Sequence, residues 1–438
     1  MGILGRLLSF IDTDYRVIVL ALARMVGAVG NSFLIVVLPL YVASPLIDLD
    51  GLVGSSIAIG GVSLSVTQPL LIGFVLSLFG FLNSLSQPWT GSLSDRVGGR
   101  KPFILTGILL LGTASGLYVF ASSYLALVVL RAIQGFGAAL VIPATIALVN
   151  EYAASPDERG GNFGVFNTFR LIGFGFGPIV AGGVVEAGPY VLPFGTYSGF
   201  DMAFISAFVV AYLSFGLVFF LVSDTDESGA AASKDISISV RGDDRILDPV
   251  FALGLATIVM GLCIALFATL QVQVNARLDQ PPVWFGLQFA AVVIANVAFQ
   301  VPVGRACDRY GRRPFLLVGF LLLIPTTLLQ GVVMTSIGMV GIRFLQGIAV
   351  ALVFAPSLAL AGDVANKGES GSTLSVLTMG FGLGVALGPL TSGWLVSYGF
   401  FIPFAAGAGL SVIAFLTVVS QVSETYGPSQ RAAAPTAD

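Results

Sequence analysis

Residues 103–121 read FILTGILLLGTASGLYVFA, a run without a charged side chain, and residues 203–222 form a second such run. A helix that spans a bilayer needs about 20 mostly apolar residues. The whole chain is similar in character, with 56% hydrophobic residues, 10% charged residues and a mean hydropathy of +0.96. Hydrocarbon cannot satisfy unpaired backbone groups, and the runs lack the alternation of barrel strands. The sequence therefore predicts an all-α membrane protein.

Twelve apolar runs, separated by turn residues and charged segments, divide the sequence. We predict spans near residues 16–42, 67–90, 103–121, 124–150, 162–185, 200–222, 249–275, 282–303, 314–333, 336–361, 370–395 and 399–421. Residues 223–248 are polar and poor in large apolar side chains, which is typical of a solvated linker. The predicted domains are a six-helix bundle over residues 1–222, a cytoplasmic linker over 223–248, and a second six-helix bundle with a short cytoplasmic tail over 249–438.

The Lys and Arg residues between the predicted spans lie almost entirely on one side. If the N-terminus is cytoplasmic, the inside loops contain Arg96, Arg100, Lys101, Arg159, Arg305, Arg309, Arg312, Arg313 and Lys367, whereas the outside loops contain only Arg277. Positive charge accumulates in cytoplasmic loops, so we expect both termini in the cytoplasm. With short outer loops and no Asn-x-Ser/Thr sequence, we expect a multi-pass protein of a cell membrane, either plasma or inner.

The two halves repeat one another at an offset of about 212 residues. The matched segments are 95–102 with 308–314, 131–135 with 343–347, Glu151 with Asp363, and 173–178 with 384–389. Each half has an even number of spans, so both copies insert with the same orientation. The sequence therefore predicts twelve transmembrane helices in two six-helix bundles, related by pseudo-two-fold symmetry along the membrane normal.

These segments resemble those of the major facilitator superfamily, and the resemblance covers essentially the whole chain. The segment Gly91-x-x-x-Asp95-Arg96-x-Gly-Gly-Arg100-Lys101 looks like that family's signature cytoplasmic loop, and residues 304–313 are its second copy. The resemblance implies a latch that closes the cytoplasmic side. The gating residues it implies are Gly91, Asp95, Arg96, Arg100, Glu151, Asp308, Arg309 and Asp363. The alternative interpretation is that these charges only orient the loops.

The fifth predicted span contains a segment that resembles the signature of the drug:proton antiporter branch. It reads Gly173-x-Gly175-x-Gly177-Pro178 and continues to a glycine pair at 182–183. Glycines four residues apart allow close helix packing, and proline allows a bend. The second half contains a similar segment at 384–389, so ordinary tight packing is the alternative.

Four arginines lie within the predicted spans, and each would cost about 2.5–3.5 kcal/mol if it faced lipid. They are Arg24, Arg131, Arg170 and Arg343. No Asp or Glu lies in the middle of a predicted span, which makes a specialist for cationic solutes less expected. Guanidinium groups pair bidentately with carboxylate or phosphate. The predicted substrate or proton pathway contains Arg24, Asn31, Arg131, Gln134, Asn167, Arg170, Gln271 and Asn296, with structural hydrogen bonding as the alternative for each.

Three functions remain open on these residues. The first is a secondary active transporter that moves a small organic solute by alternating access, as proton-coupled efflux resembling multidrug antiport. The second is a transporter or exchanger of an anionic metabolite, either a carboxylate or a phosphate ester. The third is a membrane sensor that uses the same fold without transport.

We expect no enzyme activity, because the sequence contains no histidine and no nucleophile–base motif. We expect no cofactor and no metal, because a metal-ligand cluster and a nucleotide-binding loop are also missing. The expected partners are a small-molecule substrate, protons and the lipid bilayer. Nucleic acid is not expected as a partner, and the chain is expected to act as a monomer.

Overall fold

The computed structural model of the protein describes residues 14–59, 62–153, 156–225, 246–364 and 370–425. Within these residues, twelve long helices follow one another in the order of the predicted spans. They are α1 (Tyr15–Ala43), α2 (Gln68–Val97), α3 (Lys101–Leu117), α4 (Tyr124–Glu151), α5 (Pro156–Glu186), α6 (Gly199–Leu221), α7 (Pro249–Thr269), α8 (Pro282–Tyr310), α9 (Arg313–Leu329), α10 (Ser336–Val364), α11 (Ser370–Leu395) and α12 (Ile402–Gln421). Eleven of these described helices are long and apolar enough to span a bilayer, and α9 is a shorter apolar helix. The chain is an all-α membrane protein.

The sequence predicts loops after the second and eighth spans, but most of each charged segment is helical. α2 continues to Val97 and α8 continues to Tyr310, each beyond its predicted end. Both helices stop at a glycine in the left-handed conformation, Gly98 with φ 74° and Gly311 with φ 98°. Glycine adopts this conformation without strain and commonly ends helices. Cys307, which the sequence places in a loop, therefore lies in α8.

The seventh span is also shorter than the sequence predicts. α7 ends at Thr269, and a separate short helix, Gln271–Leu278, follows after Leu270. This short helix reads QVQVNARL, so its polar side chains recur too often for a lipid-facing segment. It ends at Asp279, whose φ of 46° is left-handed.

Two antiparallel hairpins join helices at the end away from the charged segments. Strands β1 (Ser56–Ile59) and β2 (Val62–Ser65) lie between α1 and α2, with Ser56 opposite Ser65. Strands β3 (Tyr190–Leu192) and β4 (Gly195–Tyr197) lie between α5 and α6, with Tyr190 opposite Tyr197.

The described chain divides into two compact units. Unit 1 takes its described residues from 1–49, 81–233 and 281–286, and unit 2 takes them from 50–80, 234–280 and 287–438. The buried core of unit 1 includes Leu20 of α1, Ile104 of α3 and Leu148 of α4. The core of unit 2 is built from the corresponding helices α7, α9, α10 and α12, and it includes Met260 and Phe320.

Helices α1 and α5 of unit 1 pack closely along the glycines of the antiporter-like segment. A methyl group in place of the Gly173 hydrogen would overlap the Met25 carbonyl oxygen, and one at Gly177 would overlap the Ser32 hydroxyl. Ser32 Oγ also donates to the Gly173 carbonyl oxygen at 3.5 Å. The segment thus fixes which residues of α1 and α5 lie side by side.

Unit 2 repeats this packing between α7 and α11. A methyl group at Gly384 would overlap the Ile258 carbonyl oxygen, and one at Gly388 would lie 2.8 Å from the Leu262 carbonyl oxygen. The repeated glycines therefore perform the same packing role in both units.

Gly173→Val should destabilise the protein by roughly 1–3 kcal/mol, because the added side chain meets backbone that cannot move aside. The thermal unfolding midpoint of the purified protein in detergent measures this effect. Gly183→Val is the matched control in the same helix, since nothing lies within 4 Å of a Cβ built there. Equal tolerance of the two substitutions would contradict the close packing.

Candidate gating and solute-binding sites

Arg100 joins the ends of three helices in unit 1. It precedes α3 and is only 7% exposed. Its Nη1 donates to Asp95 Oδ1 at 2.5 Å, at the end of α2, and its Nε donates to Glu151 Oε1 at 3.0 Å, at the end of α4. Burial alone would lower the pKa of Arg100, but the hydrogen bonds to Asp95 and Glu151 raise it above its ordinary value. Arg100 is therefore a fixed cation shared by two carboxylates.

Two residues that follow α6 complete this arrangement. Asp224 Oδ1 accepts from the backbone N–H groups of Arg100 and Lys101, each at 2.8 Å, and so caps the start of α3. Thr225 Oγ1 donates to Glu151 Oε2 at 2.8 Å. We call Asp95, Arg100, Glu151, Asp224 and Thr225 the first charge cluster.

Tyr152 strengthens the same end of unit 1. Burial raises the pKa of Tyr152 to about 12, so its hydroxyl remains a donor, and it bonds the Ser223 carbonyl oxygen at 2.5 Å. The guanidinium of Arg16, at the start of α1, lies 4.5 Å from the centre of the Tyr152 ring. The contact brings the start of α1 to the first charge cluster.

Unit 2 contains the same arrangement around Arg312. Its Nε lies 3.0 Å from Asp363 Oδ2, and its Nη2 donates to Asp308 Oδ1 at 3.5 Å. Glu424 accepts from the backbone N–H groups of Arg312 and Arg313 at 3.1 Å and 2.9 Å. Thr425 Oγ1 donates to Asp363 Oδ2 at 2.6 Å. We call Asp308, Arg312, Asp363, Glu424 and Thr425 the second charge cluster.

The predicted gating residues divide into those in the clusters and those outside them. Of the two arginines considered for the first copy, Arg100 bonds the carboxylates and Arg96 is exposed. In the second copy Arg312 takes this position, whereas Arg309 lies over the Tyr310 ring at 5.4 Å. A Cβ at Gly91 would lie 3.4 Å from Pro143, which is ordinary contact. The family resemblance also implies a contact of Asp95 with the start of the eleventh span, where the side chains lie outside the described residues.

Sequence reasoning missed the acid–threonine pairs after the sixth and twelfth spans. The signal was present, because residues 222–225 read VSDT and residues 422–425 read VSET. These segments are 200 residues apart rather than 212, so a search at one fixed offset passes over them.

Arg131 is 3% exposed and is held by side chains of unit 1. Its Nη1 donates to Gln134 Oε1 at 3.1 Å, and Gln134 Nε2 donates to Ser115 Oγ at 2.9 Å. The Tyr118 hydroxyl also donates to Gln134 Oε1, at 3.2 Å. Arg131 and Gln134, both predicted in the substrate or proton pathway, are thus part of a polar network inside the bundle.

Arg343 has the corresponding network in unit 2 and is fully buried. Its Nη1 donates to Gln346 Oε1 at 2.7 Å, and Gln346 Nε2 donates to Thr327 Oγ1 at 3.3 Å. The guanidinium also lies 4.4 Å from the centre of the Phe267 ring. Amide, carbonyl and aromatic groups therefore surround this cation, which fits a structural role.

Arg24 and Arg170 lie near each other on the packed helices α1 and α5. The contact of Met25 with Gly173 brings the two positions to a similar level of the packed helices. Nε and Nη2 of Arg170 donate to Asn167 Oδ1 at 3.1 Å and 2.8 Å. Asn31, on the same helix as Arg24, has its buried Oδ1 without a hydrogen-bond partner among the described residues.

The polar residues predicted in the second half include buried amides without partners. Gln271 is fully buried, and neither of its amide atoms has a hydrogen-bond partner within the described residues. In the same described part of the chain, Asn296 Oδ1 is also buried without a partner. Buried polar atoms usually have partners, so both residues stay candidates for contact with a solute or water.

Twelve apolar helices, a repeated half and two matching charge clusters define a membrane transporter built by duplication. The family model of the Major Facilitator Superfamily matches residues 20–276 and 250–436. The chain belongs to the Major Facilitator Superfamily, whose members are transporters of small molecules and not enzymes.

Similar proteins cover most of the chain. An uncharacterised MFS-type transporter of Mycobacterium tuberculosis H37Rv is 25% identical over 372 residues, which cover 82% of this chain and 86% of the relative. The chromaffin granule amine transporter of Rattus norvegicus is 23% identical over 343 residues, covering 77% of this chain and 62% of that protein. The crystal structure of a human organic anion transporter shares the fold, with a TM-score of 0.62, 20% identity, and coverage of 92% and 98%.

Arg100→Gln should lower stability by roughly 1–3 kcal/mol, because Asp95 and Glu151 would then face each other without their shared cation. The unfolding midpoint of the purified protein in detergent measures the loss. Arg96→Gln, an exposed change four residues earlier in the chain, is the matched control and should leave the midpoint unchanged. A smaller effect at Arg100 than at Arg96 would contradict the role assigned to the first charge cluster.

Asp224→Ala should cost about 1 kcal/mol by removing the cap of α3. Hydrogen–deuterium exchange at the amides of Arg100 and Lys101 should become faster, and Glu424→Ala should have the same effect at Arg312 and Arg313. Ser223→Ala is the control. Unchanged exchange at all four amides would show that neither acid caps its helix.

Proposed function

We propose that this transporter exports a small organic solute by alternating access in exchange for protons, and that the two charge clusters act in gating. The observation that carries the proposal is the repetition of one arrangement in both units. Each cluster ties the ends of the second and fourth helices of its half to the start of the third helix and to the segment after the sixth. Alternating access requires each half to move largely as a rigid body, and such a junction supplies rigidity where the helices end.

The composition of the first charge cluster supports coupling to protons. Asp95 and Glu151 share Arg100, so the three side chains carry one negative charge in excess. A proton taken up by either carboxylate would neutralise one of the two negative charges that face Arg100 and leave the other in place. That change alters the junction without releasing all the helices together. The resemblance of the 173–178 segment to the signature of the drug:proton antiporter branch supports exchange rather than simple uptake.

The charge distribution supports the orientation. Both charge clusters contain arginines at helix ends, and positively charged segments remain in the cytoplasm. We therefore propose that the clusters and both termini face the cytoplasm. We also propose that the protein is a monomer in the plasma or inner membrane. On this orientation the clusters control the cytoplasmic entrance.

The buried polar residues would then line or support the route. We propose a proton-transfer role for Arg131 with Gln134, which the family resemblance implies, and solute contact for Gln271 and Asn296. The rat relative is named an amine transporter, which would favour a cationic solute. Against this, every Asp and Glu in the twelve helices lies within about one turn of a helix end.

Transport by the purified chain in proteoliposomes with an imposed pH gradient tests the proposal. Cationic dyes and small organic anions should be compared, with a protonophore that collapses the gradient. Accumulation of at least one solute should follow the gradient, and Glu151→Gln should weaken this dependence. Glu186→Gln is the control for the loss of an acid, because Glu186 lies at the end of α5, far along the chain from the first charge cluster. Solute movement that ignores the pH gradient would contradict proton exchange.

A further inference from the structure

Arg24 and Arg170 lie at the same depth in unit 1 because of the helix packing between them. Met25, next to Arg24, lies against Gly173, whereas Val29 and Ser32, one and two turns further along α1, lie against Gly177, one turn further along α5. Residue 170 is about one turn before Gly173, so the close contact of α1 with α5 brings positions 24 and 170 to a similar level of unit 1.

This pair differs from the arginines of the charge clusters. Arg100 and Arg312 each lie within 4 Å of two carboxylates. No carboxylate of the described residues pairs with Arg24 or Arg170. In the same part of the chain, Arg24 makes no hydrogen bond, and Arg170 bonds only the amide oxygen of Asn167.

The pair also differs from the enclosed arginines. Arg131 and Arg343 are almost inaccessible and are surrounded by protein dipoles, whereas Arg24 and Arg170 are half-buried. The second pair is therefore the more exposed of the two. Two neighbouring cations without a counter-charge in a membrane protein are unfavourable unless a negative group joins them.

We propose that Arg24 and Arg170 together bind the anionic group of the transported solute, a carboxylate or a phosphate ester. The proposal rests on the transport function proposed above and names the substrate class. Two guanidinium groups offer several N–H donors in planar arrays, which match the oxygens of carboxylate or phosphate. Asn167 holds the Arg170 guanidinium in place, so the donors are oriented before the anion arrives.

Asn31 suggests a second contact. It lies seven residues after Arg24, about 10 Å further along the same face of α1. Its unpartnered amide oxygen can accept a hydrogen bond from a donor at the other end of a solute. The site therefore favours an anion that carries a hydroxyl or amino group at that distance.

Binding to the purified full-length chain in detergent tests the proposal, with benzoate, citrate, glycerol 3-phosphate, inorganic phosphate and tetraphenylphosphonium as probes. At least one anion should raise the unfolding midpoint. Whether the carboxylates or the phosphates raise it more identifies the group that is bound. Arg24→Gln and Arg170→Gln should each weaken that anion about tenfold or more, whereas Arg24→Lys should retain part of the affinity. Arg16→Gln is the control, because Arg16 already pairs with Asp14 at 2.7 Å.

A second readout separates binding from a structural role. Without an anion, the Arg24→Gln and Arg170→Gln proteins should be at least as stable as the unchanged protein, because one of two repelling charges is removed. Loss of stability in both would indicate a structural role and overturn the proposal. Stabilisation by tetraphenylphosphonium alone, or anion binding that is equal in all variants, would also overturn it.

Transport by the same variants in liposomes distinguishes a failure of the anion site from a failure of the proposed proton exchange. Transport of a cation that follows the pH gradient, without anion binding, would sink the anion site and leave proton exchange standing. Anion exchange that is lost in Arg24→Gln but is indifferent to pH would support the site and contradict proton coupling.

Discussion

An arginine enclosed between apolar helices must find its hydrogen-bond acceptors within the protein, because hydrocarbon provides none. The protein meets this requirement in two ways. At the helix ends, Arg100 and Arg312 each bond two carboxylates and hold several helices together. Inside the bundles, Arg131 and Arg343 are surrounded by amides, hydroxyls and carbonyl oxygens. Among the described residues, Arg24 has no acceptor and Arg170 has only the amide oxygen of Asn167, so neither has a counter-charge.

Duplication explains why each of these two arrangements of a bonded arginine occurs once in each half. Ser115, Arg131 and Gln134 have Thr327, Arg343 and Gln346 as their counterparts, each 212 residues later, and they make corresponding hydrogen bonds. The copies have nevertheless diverged. Met25 and Ile258 make equivalent contacts, with Gly173 and Gly384 respectively, so the counterpart of Arg24 in α7 is Thr257. Arg170 corresponds to the apolar or small residues near 382. The hydrogen-bonded networks around Arg131 and Arg343 thus occur in both halves, whereas the pair of Arg24 and Arg170 belongs to the first half alone.

Much of the fold could be predicted from the sequence, since runs of about 20 apolar residues have few alternatives in a membrane. The helix ends were harder to predict. The charged segments around Asp95 and Asp308 look like loops by composition, yet they remain helical until a glycine can take the left-handed conformation. The polar residues after α7 likewise form a helix of their own, which hydropathy alone does not separate from the span.

The candidate sites were predictable where the partners repeat at one spacing. Glu151 and Asp363 emerged from the 212-residue repeat, but the choice between Arg96 and Arg100 depends on which side chain the helix end directs inward. Asp224 and Glu424 could not be assigned, because their role depends on a fold that returns the end of α6 and of α12 to the start of α3 and of α9. The proximity of Arg24 and Arg170 likewise requires the observed packing of two helices far apart in sequence.

The hairpin formed by β3 and β4 accounts for part of the change in spacing between the copies. Counterparts are 212 residues apart at Arg131 and 200 apart at Asp224, and the connection between α11 and α12 is shorter than that between α5 and α6. The chain has thus varied in length here while keeping both charge clusters. A connection that differs in this way between two copies of one bundle is a natural insertion point for an epitope tag. Antibody access to such a tag in intact cells would report directly which face of the membrane the hairpin occupies.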